Sequence, residues 1–311
     1  FVDTCKDDSQ HPFQQELRLR GKIFQDGRIQ QLLKEFQSGY SSRLNYAPGL
    51  VQMIRWGQLL KSTFKEDLYI LLNWVYWMDA VLAITGVAGE KKLIYGKALP
   101  LTAHILRSTQ LRHPLIDHAT ANDIYLTQME NVIFLTGANM AGKSTWMKTI
   151  GVSLYLAHLG FPLAAKEFEF SVCDGIYSSI NVPDNLAMGF SHFYAEVLRV
   201  KEVATEVNKG KNLLVLFDEL FKGTNVKDAF DATCAVAKAF ATFTNCRFII
   251  STHIIEVGES LKEAANIQFR YMPTIMKGTI PHYTYKMTPG ITTDRQGMII
   301  LEDGKSLEMR A

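Results

Sequence analysis

Asn131-Val-Ile-Phe-Leu-Thr136 followed by Gly137-Ala138-Asn139-Met140-Ala141-Gly142-Lys143-Ser144-Thr145 is the stretch that decides the fold. Its first part is a short apolar run, as in a strand buried on both faces. Its second part matches G-x-x-x-x-G-K-[ST], the Walker-A pattern. From Ser144 to Leu159 a helix is expected, with Met147, Ile150, Leu154 and Ala157 on one face and Gly160 ending it. Strand, glycine loop and helix in that order are the context this pattern requires. Glycines let backbone N–H groups turn inward around phosphate oxygens. The helix start adds the positive end of its dipole. Gly137 to Thr145 is therefore a candidate nucleotide-binding loop, in which Lys143 reaches the β- and γ-phosphates and Ser144 holds Mg²⁺. The plain alternative is a glycine turn before a surface helix.

Further along, Leu213 to Phe217 is a fully apolar run ending in Asp218-Glu219. Acids at the C-terminal end of a parallel strand lie where such sheets bind ligands. Asp218 is a candidate Mg²⁺ ligand and Glu219 a candidate acceptor for the proton of an attacking water. A third strand, Phe248-Ile-Ile250, runs into Ser251-Thr252-His253. There His253 either contacts a γ-phosphate or orients water, or it stands exposed at a helix start capped by Thr252. Between these strands Val226, Phe230, Ala237 and Ala241 fall on one helical face. Gln268 to Met272 and Pro281 to Met287 read as hairpin strands around Lys277-Gly278. Apolar strands separated by helices predict an α/β fold, a mostly parallel sheet flanked by helices.

The stretch before the loop reads differently. Ile29, Leu32, Leu33 and Phe36 repeat at helical spacing, a second helix is expected from Leu50 toward Leu60, and a third over Asp67 to Val87. Leu68 to Ala88 is apolar enough to raise a membrane span, but Asn73 and Asp79 interrupt it, so a buried helix is expected. Residues around Gly96, Pro100 and Pro114 read as a looser segment. The expected organisation is a helical segment over 1–101 and a nucleotide-binding domain over 102–311.

Composition narrows the function classes. The chain has 311 residues, 33 basic against 31 acidic, a net +2, with 47% apolar residues. That excludes a disordered chain, and neither half is a basic block that would draw the chain onto nucleic acid by charge alone. Cys5, Cys173, Cys234 and Cys246 form no C-x-x-C pair and no zinc spacing, which suits a reducing compartment. Phe1 to Asp8 lacks an apolar h-region, so no signal peptide is expected and a cytoplasmic location is. The missing initiator Met points to a piece of a longer chain.

The motifs together resemble the MutS family of DNA mismatch-repair ATPases. Thr136 to Thr145 looks like that family's phosphate loop, Asp218-Glu-Leu-Phe-Lys-Gly-Thr224 like its second motif and Ser251-Thr-His253 like its third. Arg112-His113-Pro114-Leu-Ile116 resembles the start of its ATPase domain, and Gly189 to Glu196 lies where the family has its signature loop. Asp79 to Ala88 looks like the end of its long core helix, which makes 1–101 a lever-like core remnant. The resemblance implies a P-loop NTPase of the ABC-type/MutS ATPase class, hydrolysing ATP with Mg²⁺. It also implies that Ser191 completes a partner's site in trans, in an ATP-dependent homodimer or with a related subunit.

The chain departs from the family at several points. It has Ser191-His192-Phe193 for Ser-Thr-Phe and Phe221-Lys222 for a small residue and Arg. Ala119 to Asn122 lacks the aromatic that stacks on adenine, and no dimerisation helices are recognisable after Gly297. No mismatch-reading, connector or clamp domain is recognisable either, so DNA is expected to be bound through the parent protein and only weakly by this part. Two other functions fit the residues less well. A transporter-type ATPase would need a Leu-Ser-Gly-Gly-Gln type signature, which is absent. A nucleotide-controlled scaffold with little turnover is opposed by Glu219.

Overall fold

The computed structural model describes residues 12–37, 49–180, 192–222, 224–277 and 280–292. The chain divides into two compact units, Phe1–Val87 and Ala88–Ala311. The first contains α1 (Pro12–Gly21), α2 (Gly27–Gln37), α3 (Leu50–Gln58) and most of α4 (Lys65–Glu90), with a π turn at Leu59–Thr63 before α4. Leu17, Ile29, Leu32 and Phe64 are buried there. Arg28 ties α2 to α4 through Asp67, at 2.8 Å, and also donates to the Thr63 carbonyl.

The helix α4 corrects one expectation. It was expected to be buried, yet Tyr69, Ile70, Val75, Tyr76, Leu82 and Val87 are exposed. Its most apolar window is only 6% buried, and by length and composition alone it could cross a membrane. Apolarity on all sides tells what a helix is able to bury, not how many elements stand against it.

The second unit runs β1 (Ile94–Tyr95), β2 (Lys97–Leu99), β3 (Leu106–Leu111), β4 (Asn122–Leu126), β5 (Val132–Gly137), α5 (Lys143–His158), β6 (Pro162–Leu163), β7 (Glu167–Ser171) and β8 (Gly175–Ser179). It continues through α6 (His192–Asn208), β9 (Leu213–Asp218), α7 (Val226–Ala241), β10 (Arg247–Ser251), α8 (Ile255–Leu261), β11 (Ile267–Met272), β12 (Thr274–Lys277), β13 (Ile280–Tyr283) and β14 (Thr288–Pro289). The main sheet has six strands in the order β14-β11-β5-β10-β9-β8. All its pairings are parallel except β11 with β14.

The unbroken apolar runs follow from burial on both faces. On one face Phe134, Phe217 and Phe248 pack with Val203 and Val207 of α6, Ala237 and Phe240 of α7 and Val257 of α8. On the other, Ile133, Leu135, Leu216 and Ile249 meet Met147 and Ile150 of α5. Successive residues of one strand serve opposite faces, so the middle of each strand is apolar on both. Gly151 lets α5 approach closely: a Cβ there would lie 2.9 Å from a Leu216 methyl.

The region read as looser holds a four-stranded sheet, β2-β7-β3-β4. Its alternation was masked because inward positions are polar. Ser108 is buried and donates to the Glu167 carbonyl at 2.7 Å, and Asn122 is buried at the start of β4. The expected hairpin is also revised. Gln268 to Met272 lies in β11, parallel to β5, and the hairpin is β12 with β13. Val226 is exposed, because it opens α7 right after the Asn225 cap; the inner stripe starts at Ala229.

Phe248 stacks on Phe240 with centroids 4.9 Å apart. Phe248→Ala should therefore cost about 3–5 kcal/mol, seen as a lowered urea midpoint by circular dichroism. Val226→Ala should stay within about 0.5 kcal/mol of the parent chain.

Candidate functional site

The C-terminal ends of β5, β9, β10 and β11 place the site. Ser251 of β10 is in register with Leu135 of β5 on one side and Asp218 of β9 on the other. Gly137 is in register with Met272 of β11. The glycine loop leaves β5, so it hangs over the same edge that carries Asp218 and Glu219.

Two glycines of the loop have no substitute. Gly137 has φ +138°, and a Cβ would sit 3.1 Å from the Met272 carbonyl oxygen. Gly142 has φ +103°, and its Cβ would meet the Tyr285 ring at 3.0 Å. Both lie where side chains are strained. Gly142 is the N-cap of α5 and no side chain caps the helix. The first-turn N–H groups of α5 are thus without a capping side chain, as an anion site requires.

Lys143 is buried, and its ammonium donates to the carbonyls of Gly137 at 2.7 Å and Ala138 at 3.1 Å. Its Nζ stands 4.0 Å from Glu219 Oε1. Burial pushes its pKa below the ordinary lysine value, while the negative charges of Glu219 and Asp218 pull it back up. On the acidic side, the Ser251 hydroxyl donates to Asp218 Oδ1. The Glu219 amide donates to the Ser251 carbonyl at 3.0 Å and to its hydroxyl at 3.2 Å. These bonds hold Glu219 at φ +54°, unusual for a non-glycine residue.

These groups face a cavity of about 750 Å³. Its walls include Ala138, Asn139, Met140, Gly142, Lys143, Ser144 and Thr145, together with Asp218, Glu219 and Lys222. Gly137 and Ala141 support the loop from below, both buried. The amides and Lys143 suit a chain of phosphates; the Ser144 hydroxyl and Asp218 carboxylate suit a hard cation. One expected site residue is not brought in. His253 is exposed and outside the cavity lining. Its neighbour Thr252 does not cap α8; Ile254 holds that place, and Thr252 accepts the Ile254 amide at 3.1 Å. Ser191 lies outside the described residues, as does Gly189.

Other residues join that sequence reasoning missed. Tyr285, His113, His118 and Asn122 line the cavity. Tyr285 is held by Asn122, whose Nδ2 donates to its carbonyl at 2.9 Å and whose Oδ1 accepts the Met287 amide at 2.7 Å. Ala119 to Asn122 holds no aromatic, and Tyr285 reaches the cavity from far along the chain, where no spacing rule points to it. Phe221, unusual for the second motif, is buried and packs on Phe193 at 5.5 Å.

Comparison with known proteins places this arrangement. The family model described as MutS domain V matches residues 133–304, more than half of the chain. The chain belongs to the MutS family. Among relatives, the DNA mismatch repair protein MutS of Petrotoga mobilis is 32% identical over 197 residues, 61% of this chain and 23% of the relative. The MutS of Anaplasma phagocytophilum is 27% identical over 237 residues, 75% of this chain and 28% of that protein. The DNA mismatch repair protein MSH2 of Saccharomyces cerevisiae is 27% identical over 214 residues, 64% and 22% respectively. The chain thus spans about a quarter of the length of the curated relatives it matches. Its mixed α/β architecture accords with MutS domain V.

The Lys143 shift has a pH consequence for this MutS chain. The folded state binds that proton less readily than the unfolded state, whose lysine stays near the ordinary 10.5. Stability from this group therefore rises as pH climbs from the folded pKa toward 10.5. Urea midpoints measured between pH 8 and that upper end should show a gain in the parent chain that Lys143→Met flattens.

Proposed function

We propose that this chain is the ATP-binding and ATP-hydrolysing motor part of a MutS-family protein acting in DNA mismatch repair or a related DNA process. One observation carries the reading: the glycine loop, the buried Lys143 ammonium and the two acids at the end of β9, Asp218 and Glu219, line a single cavity. In this reading the domain is a P-loop NTPase of the ABC-type/MutS class, built from residues 102–311 and preceded by a lever-like helical segment over 1–101.

The amides from Gly137 to Thr145 wrap the phosphates, and Lys143 takes the β- and γ-phosphate oxygens in place of the two carbonyls it now touches. The donor set fits Mg²⁺: Ser144 and Asp218 would hold it, and it would offset phosphate charge in the reaction. Magnesium needs only one or two protein oxygens beside phosphate, which agrees with finding no cluster of three metal-binding side chains among the described residues. The Ser251 hydroxyl occupies one oxygen of Asp218 and so fixes the direction of the other. Glu219 accepts the proton of the attacking water; its carboxylate is aimed by the backbone bonds to Ser251. Tyr285 offers its ring to the base. For His253 the reading is a γ-phosphate or water contact made only with nucleotide bound. Ser191 is assigned to a partner's γ-phosphate in a dimer.

DNA contact belongs to the parent protein. The near-neutral charge of this part supports weak binding without preference for a mismatch. A cytoplasmic place is inferred from the cysteine usage.

Glu219→Gln should bind Mg-ATP about as well as the parent chain while turnover falls on the order of 10²–10⁴-fold. Lys143→Ala should lose nucleotide binding itself. Phosphate release and nucleotide titration side by side check both; unchanged turnover in Glu219→Gln removes that residue from the proton-acceptor role.

If Ser191 acts in trans, turnover per chain should rise with protein concentration, and sedimentation with a non-hydrolysable ATP analogue should show a dimer. Fully active monomers would end the shared-site reading. Titration with matched and mismatched duplexes at two salt concentrations should show weak, salt-sensitive, equal binding.

A further inference from the structure

A second cavity, of about 370 Å³, shares Asn122 with the first. Its walls come from β3, β4, β11 and the segment before β14, and include Arg107, Asp123, Gln268, Arg270 and Lys286. Three cations against one carboxylate make it electropositive. One of these cations is already paired with a carboxylate, and the lining carboxylate keeps its charge while one of its oxygens takes a backbone amide. Arg107 pairs with Glu169 at 2.5 Å, and Asp123 accepts the Gln110 amide at 2.7 Å.

The other two cations meet only neutral groups among the described residues. Arg270 donates to the side-chain oxygen of Gln268 at 3.1 Å, and Lys286 donates to the Ala121 carbonyl at 2.7 Å. Gln268 is buried, and its own amide is anchored on the Tyr125 carbonyl at 2.7 Å and on the Glu130 carboxylate at 3.3 Å. The Arg270 guanidinium is therefore held in place by a fixed side chain, with donors to spare. A guanidinium and an ammonium, neither bonded to a carboxylate, at one concave site are what a phosphate or carboxylate group recognises.

We propose that this cavity binds a small phosphate- or carboxylate-bearing anion on Arg270 and Lys286, and that its occupancy is coupled to the first cavity. The coupling has a physical route. Asn122 pins the Tyr285 carbonyl and the Met287 amide with its two side-chain atoms. Tyr285 faces the first cavity, while Lys286 and Met287 face the second. An anion that draws on Lys286 acts on the wall that presents Tyr285. Linkage makes the effect reciprocal: what one ligand does to the affinity of the other, the other returns. The anion site stands on its own observations; the coupling rests on the nucleotide reading.

The anion site is tested first in full-length Lys143→Ala chain without nucleotide, which weakens phosphate capture by the glycine loop. Inorganic phosphate and malonate are titrated separately against a chloride control of equal ionic strength, by calorimetry and thermal shift. Saturable binding of either anion is expected, with phosphate alone, malonate alone or both telling which source of the negative group the cavity takes. Adding Arg270→Gln and Lys286→Gln should weaken it at least tenfold, with an unchanged circular dichroism spectrum. Equal binding with and without these two changes, or no saturable binding of either anion, overturns the proposal.

Coupling is then read in the chain with native Lys143, as a shift of two-fold or more in the affinity for a fluorescent ATP analogue on adding the anion. The shift should vanish in the Arg270→Gln, Lys286→Gln chain. Tight analogue binding with no such shift overturns the coupling alone. Failure of the analogue to bind at all defeats the nucleotide reading and the coupling with it, while the anion result stands.

Discussion

The position of β10 between β5 and β9 is the constraint on which the site depends. The strands that carry the glycine loop and the acids are two spacings apart, and β10 fills the gap. The Thr252 amide just after the strand donates to the Leu135 carbonyl of β5, and Ser251, the last residue of the strand, bonds to β9 and to the residue that follows β9. Its hydroxyl reaches Asp218, and its carbonyl and hydroxyl take the Glu219 amide. A slip of one residue in β10 would turn Ser251 away and put Ile250 at the edge, and every apolar side chain of the strand would change face. The core on both faces thus enforces the register that the site needs.

Electrostatics at this edge are built on opposition. A buried ammonium is costly unless paired, and Lys143 is paired with carbonyls at hydrogen-bond distance and with Glu219 only at 4.0 Å. The positive charge is held inside, where the acids offset part of what burial costs it. It is not locked to them. Such a lysine keeps its donors directed at the loop, so a group of phosphates entering there gains a cation that is already desolvated.

The central strands were legible because burial on both faces leaves an apolar signature over Val132 to Leu135, Leu213 to Phe217 and Phe248 to Ile250. The loop was legible because glycines and lysine at fixed spacing have few other uses. The smaller sheet was not, since Ser108 and Asn122 point inward and break its alternation. Tyr285 was not, since it reaches the cavity by tertiary packing alone. The α4 helix was misjudged because a sequence records the apolarity of a helix and not its neighbours. Ser251 was seen only as part of a motif; its hold on Asp218 depends on strand order, which sequence spacing does not encode.

The two glycines of the loop differ in what blocks them, and this sets their genetic behaviour. At Gly137 the obstacle is a backbone oxygen, which every residue at Met272 would carry. No second change at that neighbour restores room, so a loss at 137 has no local suppressor. At Gly142 the obstacle is the Tyr285 ring, which a smaller residue would withdraw. A compensating change at 285 could relieve the crowding at 142, leaving only the backbone strain of φ +103°. The first glycine is therefore fixed independently of its surroundings, while the second is tied to the wall that faces it, and the two positions of that pair are expected to drift together among related chains.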